Sequence, residues 1–114
     1  MRRFLLICVL FCGCGGSESP SAPSSPAIAF TKLGTGNDVF DLPASVRRVK
    51  IHGSYTGVSQ NFIVWCTNQL LVNEILGTRG IGTTYDGTHQ LQTSGCAMRI
   101  ENSTGVLWTV VQVQ

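Results

Sequence analysis

Two neighbouring apolar segments, Asn61-Phe-Ile-Val-Trp-Cys66 and Gln69-Leu-Leu-Val-Asn-Glu-Ile-Leu76, decide the fold. Both are rich in β-branched and aromatic residues, which are enriched in β-strands. Only Thr67 and Asn68 separate the two segments, and a link of this length is typical of a β-hairpin. The sequence therefore predicts two antiparallel strands that pair with each other.

The segment Val46-Arg-Arg-Val-Lys-Ile-His-Gly-Ser-Tyr55 predicts another strand, because apolar and polar residues alternate along it. The side chains expected toward the core are Val49, Ile51 and Tyr55. The side chains expected toward solvent are Arg48, Lys50 and His52. One face of this strand therefore belongs to the core, and the other carries positive charge.

Further short strands are predicted at residues 28–33, 39–42, 97–101 and 106–114. From residue 27 onward, no stretch has the three-to-four-residue apolar period of a helix. About seven or eight short strands with turn residues between them indicate an all-β fold, a small antiparallel β-sandwich of jelly-roll or immunoglobulin-like type. Trp65 and Trp108 lie inside strand patterns, and we expect both in the core.

Several motifs give the domain a recognisable pattern. They are Gly34-Thr-Gly-Asn-Asp-Val-Phe-Asp-Leu-Pro43, Asn61-Phe-Ile-Val-Trp65, Leu70-Leu-Val-Asn-Glu-Ile-Leu-Gly77, Tyr85-Asp-Gly-Thr88 and Ser103-Thr-Gly-Val-Leu-Trp108. This pattern resembles a group of uncharacterised bacterial secreted and lipoprotein modules that carry Gly-x-Gly-Asp-x-Val, Asn-Phe-x-Val, Leu-Leu-Val-Asn and Gly-x-Trp motifs. The resemblance covers residues 30–113. It implies a small β-sandwich and no catalytic residue.

The N-terminal segment Met1-Arg-Arg-Phe-Leu-Leu-Ile-Cys-Val-Leu-Phe-Cys-Gly-Cys14 predicts export. Two arginines precede an apolar run at residues 4–12, which is shorter than the roughly 20 residues of a membrane-spanning helix. Phe11-Cys-Gly-Cys14 is similar to the Leu-small-small-Cys pattern of lipoprotein signals. Cleavage before Cys12 is the alternative, but it would place Phe11 where a small side chain is needed. We therefore expect a signal peptide at residues 1–13 and lipidation of Cys14.

The segment after Cys14 has the composition of a tether. Residues 14–26 are rich in serine, proline and glycine, and such a segment cannot bury enough surface to fold. The sandwich domain is expected at residues 27–114. Gly15 and Gly16 follow the cysteine without an aspartate retention signal, which favours the outer membrane of a bacterial cell envelope.

Two cysteines remain after processing, Cys66 and Cys96. In an exported small domain, an even pair of cysteines usually forms a disulfide. The alternative is a pair of buried free thiols that pack as small apolar side chains.

Charge gives few clues to a partner. The formal net charge is +2, and removal of Arg2 and Arg3 leaves equal numbers of basic and acidic residues, so we expect no nucleic-acid partner. The densest cluster, Arg47, Arg48 and Lys50, is a candidate anion-facing surface for envelope glycans or anionic lipids. Lys32 and Arg99 could extend it across the sheet, and the alternative is a solvated face without a ligand.

Catalytic and metal-binding patterns are weak. His52 is expected on a polar strand face and His89 in a loop after the Asp86-Gly87 turn, and neither lies in a nucleophile motif. Asp38 and Asp41 could offer oxygen atoms to calcium, although a strand-capping turn also explains them. We therefore expect no enzyme activity, no cofactor and no metal. The predicted function is a lipid-anchored envelope lipoprotein with a non-catalytic interaction or structural domain; a carbohydrate-binding module and a small hydrolase are the alternatives.

Overall fold

The computed structural model describes residues 29–114, which form eight β-strands and no helix. The strands are β1 (Thr31–Thr35), β2 (Asp38–Asp41), β3 (Arg48–Ser54), β4 (Gln60–Cys66), β5 (Gln69–Leu76), β6 (Thr84–Gln90), β7 (Ala97–Glu101) and β8 (Leu107–Gln112). The predicted signal peptide, Cys14 and the tether lie outside the described residues. No helix able to cross a membrane occurs among residues 29–114.

The strands form two antiparallel sheets of four. The first sheet has the order β1-β8-β3-β6, and the second has the order β2-β7-β4-β5. Among the described strands only β4 and β5 are neighbours both in sequence and in a sheet, while each of the other six connections crosses between the sheets. This is the strand order of a jelly roll, so the predicted β-sandwich is confirmed and its jelly-roll form is the one observed.

Alternation along the strands places one face of each sheet in a shared core. The largest fully buried side chains are Trp108, Phe62, Ile51, Leu76, Met98 and Ile100. The Trp108 indole stacks on Phe40, with ring centroids 5.7 Å apart, and its N–H donates to the Gly36 carbonyl at 2.8 Å. Gly34 lies directly opposite in β1, where a Cβ atom would collide with the indole ring. A glycine at this position therefore makes room for the largest core side chain.

A disulfide joins Cys66 at the end of β4 to Cys96 in the loop before β7, with the Cα atoms 5.4 Å apart. Both residues are buried within the core. The predicted pairing is confirmed, and it ties the loop between β6 and β7 to the second sheet.

The prediction of a turn at Asp86-Gly87 and a loop at His89 is wrong. All three residues lie in β6, which pairs with β3 along its whole length, from Arg48 with Gln90 to Ser54 with Thr84. Gly87 lies within the strand and leaves room for the Tyr85 hydroxyl, which a Cβ atom there would contact. Pairing with a regular neighbouring strand thus overrides the local turn preference of Asp-Gly.

The antiparallel register assigns the loops to two ends of the sandwich. Residues 36–37, 55–59, 77–83 and 102–106 connect strands at one end, called here the far end. Phe30 hydrogen bonds with Gln112 at the opposite end, so the described chain enters the sandwich there.

Candidate functional site

The outer face of the first sheet, called here the β3 face, carries most of the predicted anion-facing surface. Arg48 and Lys50 point outward from β3 and are exposed, while Arg47 is exposed just before the strand. Within residues 29–114, no carboxylate forms an ion pair with any of these three side chains. These cations are therefore open to a partner from outside the domain.

Lys32 and Arg99 do not extend this cluster, contrary to the prediction. The Lys32 ammonium lies 3.8 Å from Asp38 and over the Phe40 ring, at the edge of the sandwich. Arg99 lies in β7 and therefore belongs to the second sheet. Both cations already have a carboxylate partner, which removes them from the free charge of the β3 face.

An open depression of about 340 Å³ lies on the half of the β3 face nearest the far end. Its lining residues are Leu33, Gly34, Thr35, His52, Ser54, Leu107, Trp108 and Thr109. Leu33 and Leu107 are 71% and 56% exposed, so the depression presents apolar surface to solvent. The polar side chains in the depression are hydroxyl groups and one imidazole. It therefore offers apolar contact and hydrogen bonds but holds no lysine or arginine.

The ladder register gives the dimensions of the depression. Thr109 pairs with Leu33 on one side and with His52 on the other. These two side chains are therefore separated by two strand spacings, about 10 Å.

His52 is oriented by a carboxylate. Its Nδ1 atom lies 2.9 Å from Asp86 Oδ1 in the neighbouring strand β6. An ionised carboxylate can only accept hydrogen bonds, so Nδ1 donates and, in the neutral ring, Nε2 is left as an acceptor. The pair fixes which hydrogen bond the imidazole offers to a ligand in the depression.

Trp65 is not in the core, contrary to the prediction. It lies part-exposed on the outer face of the second sheet, called here the Trp65 face, because Phe62, Val64 and Cys66 of the same strand point inward. Its indole N–H donates to Glu101 at 2.8 Å, and Arg99 lies 5.2 Å from the ring centroid. Arg99 Nε also donates to Glu101, at 3.1 Å. Glu101 therefore accepts hydrogen bonds from both Trp65 and Arg99.

The second histidine lies on the opposite side of β6 from Asp86, near the edge of the sandwich. The Tyr85 hydroxyl and His89 Nε2 are 2.9 Å apart, and their rings stack. Burial lowers the pKa of His89 from its ordinary value. Burial raises the pKa of Tyr85, and the charges of Glu74 and Asp86 raise it further. At neutral pH the His89 ring is therefore neutral, and its Nε2 atom shares one hydrogen bond with the Tyr85 hydroxyl.

Comparison with known proteins gives no family model, curated protein or solved structure that matches this chain. The resemblance to bacterial lipoprotein modules stays a prediction, and the function must be argued from the residues themselves.

Sequence reasoning missed Leu33, Leu107, Thr109 and Asp86 as parts of one site. Nothing in the local sequence pattern singles out Leu33 or Leu107, since apolar residues also fall on both faces of β8. Treating Asp86 as part of a turn removed the partner of His52. A register that pairs Tyr85–Gln90 with β3 is the signal that would have brought His52 and Asp86 together.

Proposed function

We propose that this chain is an exported, lipid-anchored protein of the bacterial cell envelope whose β-sandwich is a non-catalytic binding domain. The N-terminal signal pattern supports the anchor at Cys14. The Cys66–Cys96 disulfide supports an oxidising compartment outside the cytoplasm. We assign it to the outer membrane, because Gly15 and Gly16 follow Cys14 where an aspartate would act as a retention signal.

The binding role rests on a difference between the two outer faces: the basic side chains of one face lack carboxylate partners, and those of the other face have them. Arg48 and Lys50 lack carboxylate partners within residues 29–114 and lie on the same face as the depression. Arg99 and Glu101 of the Trp65 face neutralise each other. An unpaired basic group beside a concave site favours an external ligand.

A carbohydrate-binding module is the second candidate, and the lining of the depression favours it. Leu33 and Leu107 offer apolar surface, while Ser54, Thr109 and His52 offer hydrogen bonds. A non-catalytic role agrees with the histidine partners, which are Asp86 for His52 and Tyr85 for His89. Nucleophilic catalysis requires a base that touches a serine, threonine or cysteine, and neither ring hydrogen bonds such a side chain among residues 29–114.

Membrane fractionation after metabolic labelling with a radioactive fatty acid tests the anchor. Cys14→Ser is expected to lose the label and to move the protein to the soluble fraction, because the thiol is the acceptor of the lipid. Cys12→Ser is the matched control, since it changes the other candidate cysteine, and it is expected to keep the label. Undiminished label on Cys14→Ser would contradict the proposal.

A further inference from the structure

We infer that the depression and the free cations of β3 form one continuous site for an acidic polysaccharide, an inference that rests on the binding role proposed above. The site follows the outward-facing side chains of a single strand. Those side chains, from the far end of the sandwich, are Ser54, His52, Lys50 and Arg48. Successive members are about 7 Å apart, and the whole row extends about 20 Å. This length accommodates several sugar units rather than one.

The part of the site near Ser54 fits a neutral sugar ring. The hydroxyl groups of Ser54 and Thr109 can both donate and accept, and His52 Nε2 accepts when the ring is neutral. Leu33 and Leu107 cover the apolar C–H face that a sugar presents. No lysine or arginine lines the depression, so nothing inside it favours an anionic ring over a neutral one.

The part of the site near Arg48 fits an acidic group. Lys50 pairs across the sheet with Thr88 and Val111, and Arg48 pairs with Gln90. None of these neighbours is charged, so the positive charge of the two cations is not cancelled on the sheet. Asp86 is the carboxylate that β6 adds to this face, and its Oδ1 contacts His52. A glycan carrying carboxylates along its chain is therefore complementary to the row.

The geometry favours a polysaccharide over an anionic lipid surface. Lipid head groups are attracted by exposed basic residues alone and do not require a depression lined by hydroxyl groups. In this domain the basic residues continue directly into such a depression along β3. A ligand that uses both halves must carry hydroxyl-rich neutral units as well as acidic ones.

Binding of two acidic probes to the exported protein, solubilised in a neutral detergent, tests the inference. The probes are hyaluronan oligosaccharides, which alternate uronic acid and N-acetylhexosamine, and polygalacturonate oligosaccharides. Isothermal titration calorimetry is expected to detect binding of at least one probe, with weaker binding as salt increases. Chitin oligosaccharides, which are neutral, are expected to bind more weakly.

Variants separate the two halves of the site. Lys50→Gln and Arg48→Gln are each expected to weaken binding of the acidic probe about two- to fivefold, the usual effect of one exposed charge. His52→Ala is expected to weaken it about two- to tenfold, because one hydrogen bond is lost. Arg79→Gln, which removes one exposed charge in the loop between β5 and β6, is the matched control and is expected to change nothing. Unfolding midpoints measured beside each titration show that every variant is folded.

Three results would overturn the inference. The first is failure of both acidic probes to bind at low salt. The second is equal weakening by Arg79→Gln and Lys50→Gln, which would mean that only net charge matters. The third is binding to phosphatidylglycerol vesicles that depends on Lys50 but not on His52, which would assign the face to lipid. Each leaves the labelling test of Cys14 unaffected, so failure of this inference is distinguishable from failure of the proposed anchor.

Discussion

The two tryptophans of this protein lie in different sheets and have opposite surroundings. Trp108 is 2% exposed between the sheets, and its N–H donates to a backbone carbonyl, that of Gly36. Trp65 lies on an outer face, and its N–H donates to a side chain, that of Glu101. The first tryptophan packs between the sheets, whereas the second belongs to a cluster in which Glu101 already pairs with both the indole and Arg99. An exposed aromatic residue is therefore not by itself a sign of a binding site.

The same contrast separates the two outer faces. On the Trp65 face, Arg99 and Glu101 pair with each other and with the indole. On the β3 face, the cations Arg48 and Lys50 are unpaired within residues 29–114 and adjoin a depression. The face with the smaller aromatic content is consequently the better candidate for ligand binding.

The largest expected effect is that of Trp108→Ala. Truncating a fully buried tryptophan leaves a cavity beneath Gly34 and Phe40, and such changes lower the free energy of unfolding by about 3–5 kcal/mol. Urea denaturation of the purified protein measures the loss. Trp108→Phe keeps an aromatic ring but leaves the Gly36 carbonyl without its donor. Its free energy of unfolding should therefore lie between those of the wild type and Trp108→Ala. If Trp108→Ala lowers the free energy of unfolding less than Trp65→Ala does, the assignment of Trp108 to the core is contradicted.

Removal of the disulfide is expected to lower the free energy of unfolding nearly as much as Trp108→Ala does. The cysteines are 30 residues apart in sequence, and for a loop of that size the chain-entropy estimate gives about 3–4 kcal/mol. Urea denaturation of the Cys66→Ala, Cys96→Ala double variant, with and without reductant, provides the measurement. Reductant should lower the free energy of unfolding of the wild type to about that of the variant. The variant itself should be unaffected by reductant. Reductant sensitivity of the variant would show that some other bond is responsible.

Trp65→Ala is expected to lower the free energy of unfolding by only about 1 kcal/mol. The ring is part-exposed, and its loss removes one cation–π contact and one hydrogen bond. Trp65→Phe retains the ring for Arg99 and removes only the N–H, so it should cost less than Trp65→Ala. A loss as large as that of Trp108→Ala would mean that the two tryptophans do not differ in role.

A smaller effect is expected from pH, through His89. Burial lowers the pKa of His89 in the folded chain below its ordinary value of 6.5. The unfolded chain therefore binds a proton more readily, and stability should fall as the pH drops below about 6.5 toward the lower folded pKa. Unfolding midpoints at pH 7 and at pH 5, compared between wild type and His89→Gln, measure how much of the acid-induced loss of stability is due to His89. If the two proteins lose the same stability on acidification, His89 is not the cause.

The fold was largely predictable, because strand alternation, turn residues and a two-residue hairpin link all act locally. The β4–β5 hairpin and the outward direction of Arg48, Lys50 and His52 follow from period-two patterning alone. The direction of Trp65 did not follow, because β4 has apolar residues on both of its faces. The disulfide could have decided it: an inward Cys66 requires that Trp65 next to it points outward.

The candidate site was less predictable than the fold, because it depends on pairing between distant strands. Leu33, Thr109, His52 and Asp86 form one row across the first sheet, yet they come from four separate segments of the chain. Strand β6 was missed because Asp86-Gly87 has the composition of a turn. Local preference cannot show that β3 pairs with this segment, since the pairing depends on the whole sheet.

Amide and indole N–H chemical shifts, recorded while a hyaluronan oligosaccharide is added, test most directly the claim that the β3 face is the binding surface. We expect shifts of the amides of His52, Lys50 and Thr109, with the indole N–H of Trp65 unchanged on the opposite face. Lys50→Gln should reduce these shifts at the same ligand concentration. Shifts centred on the Trp65 indole, or no shift in β3 at saturating oligosaccharide, would contradict the claim.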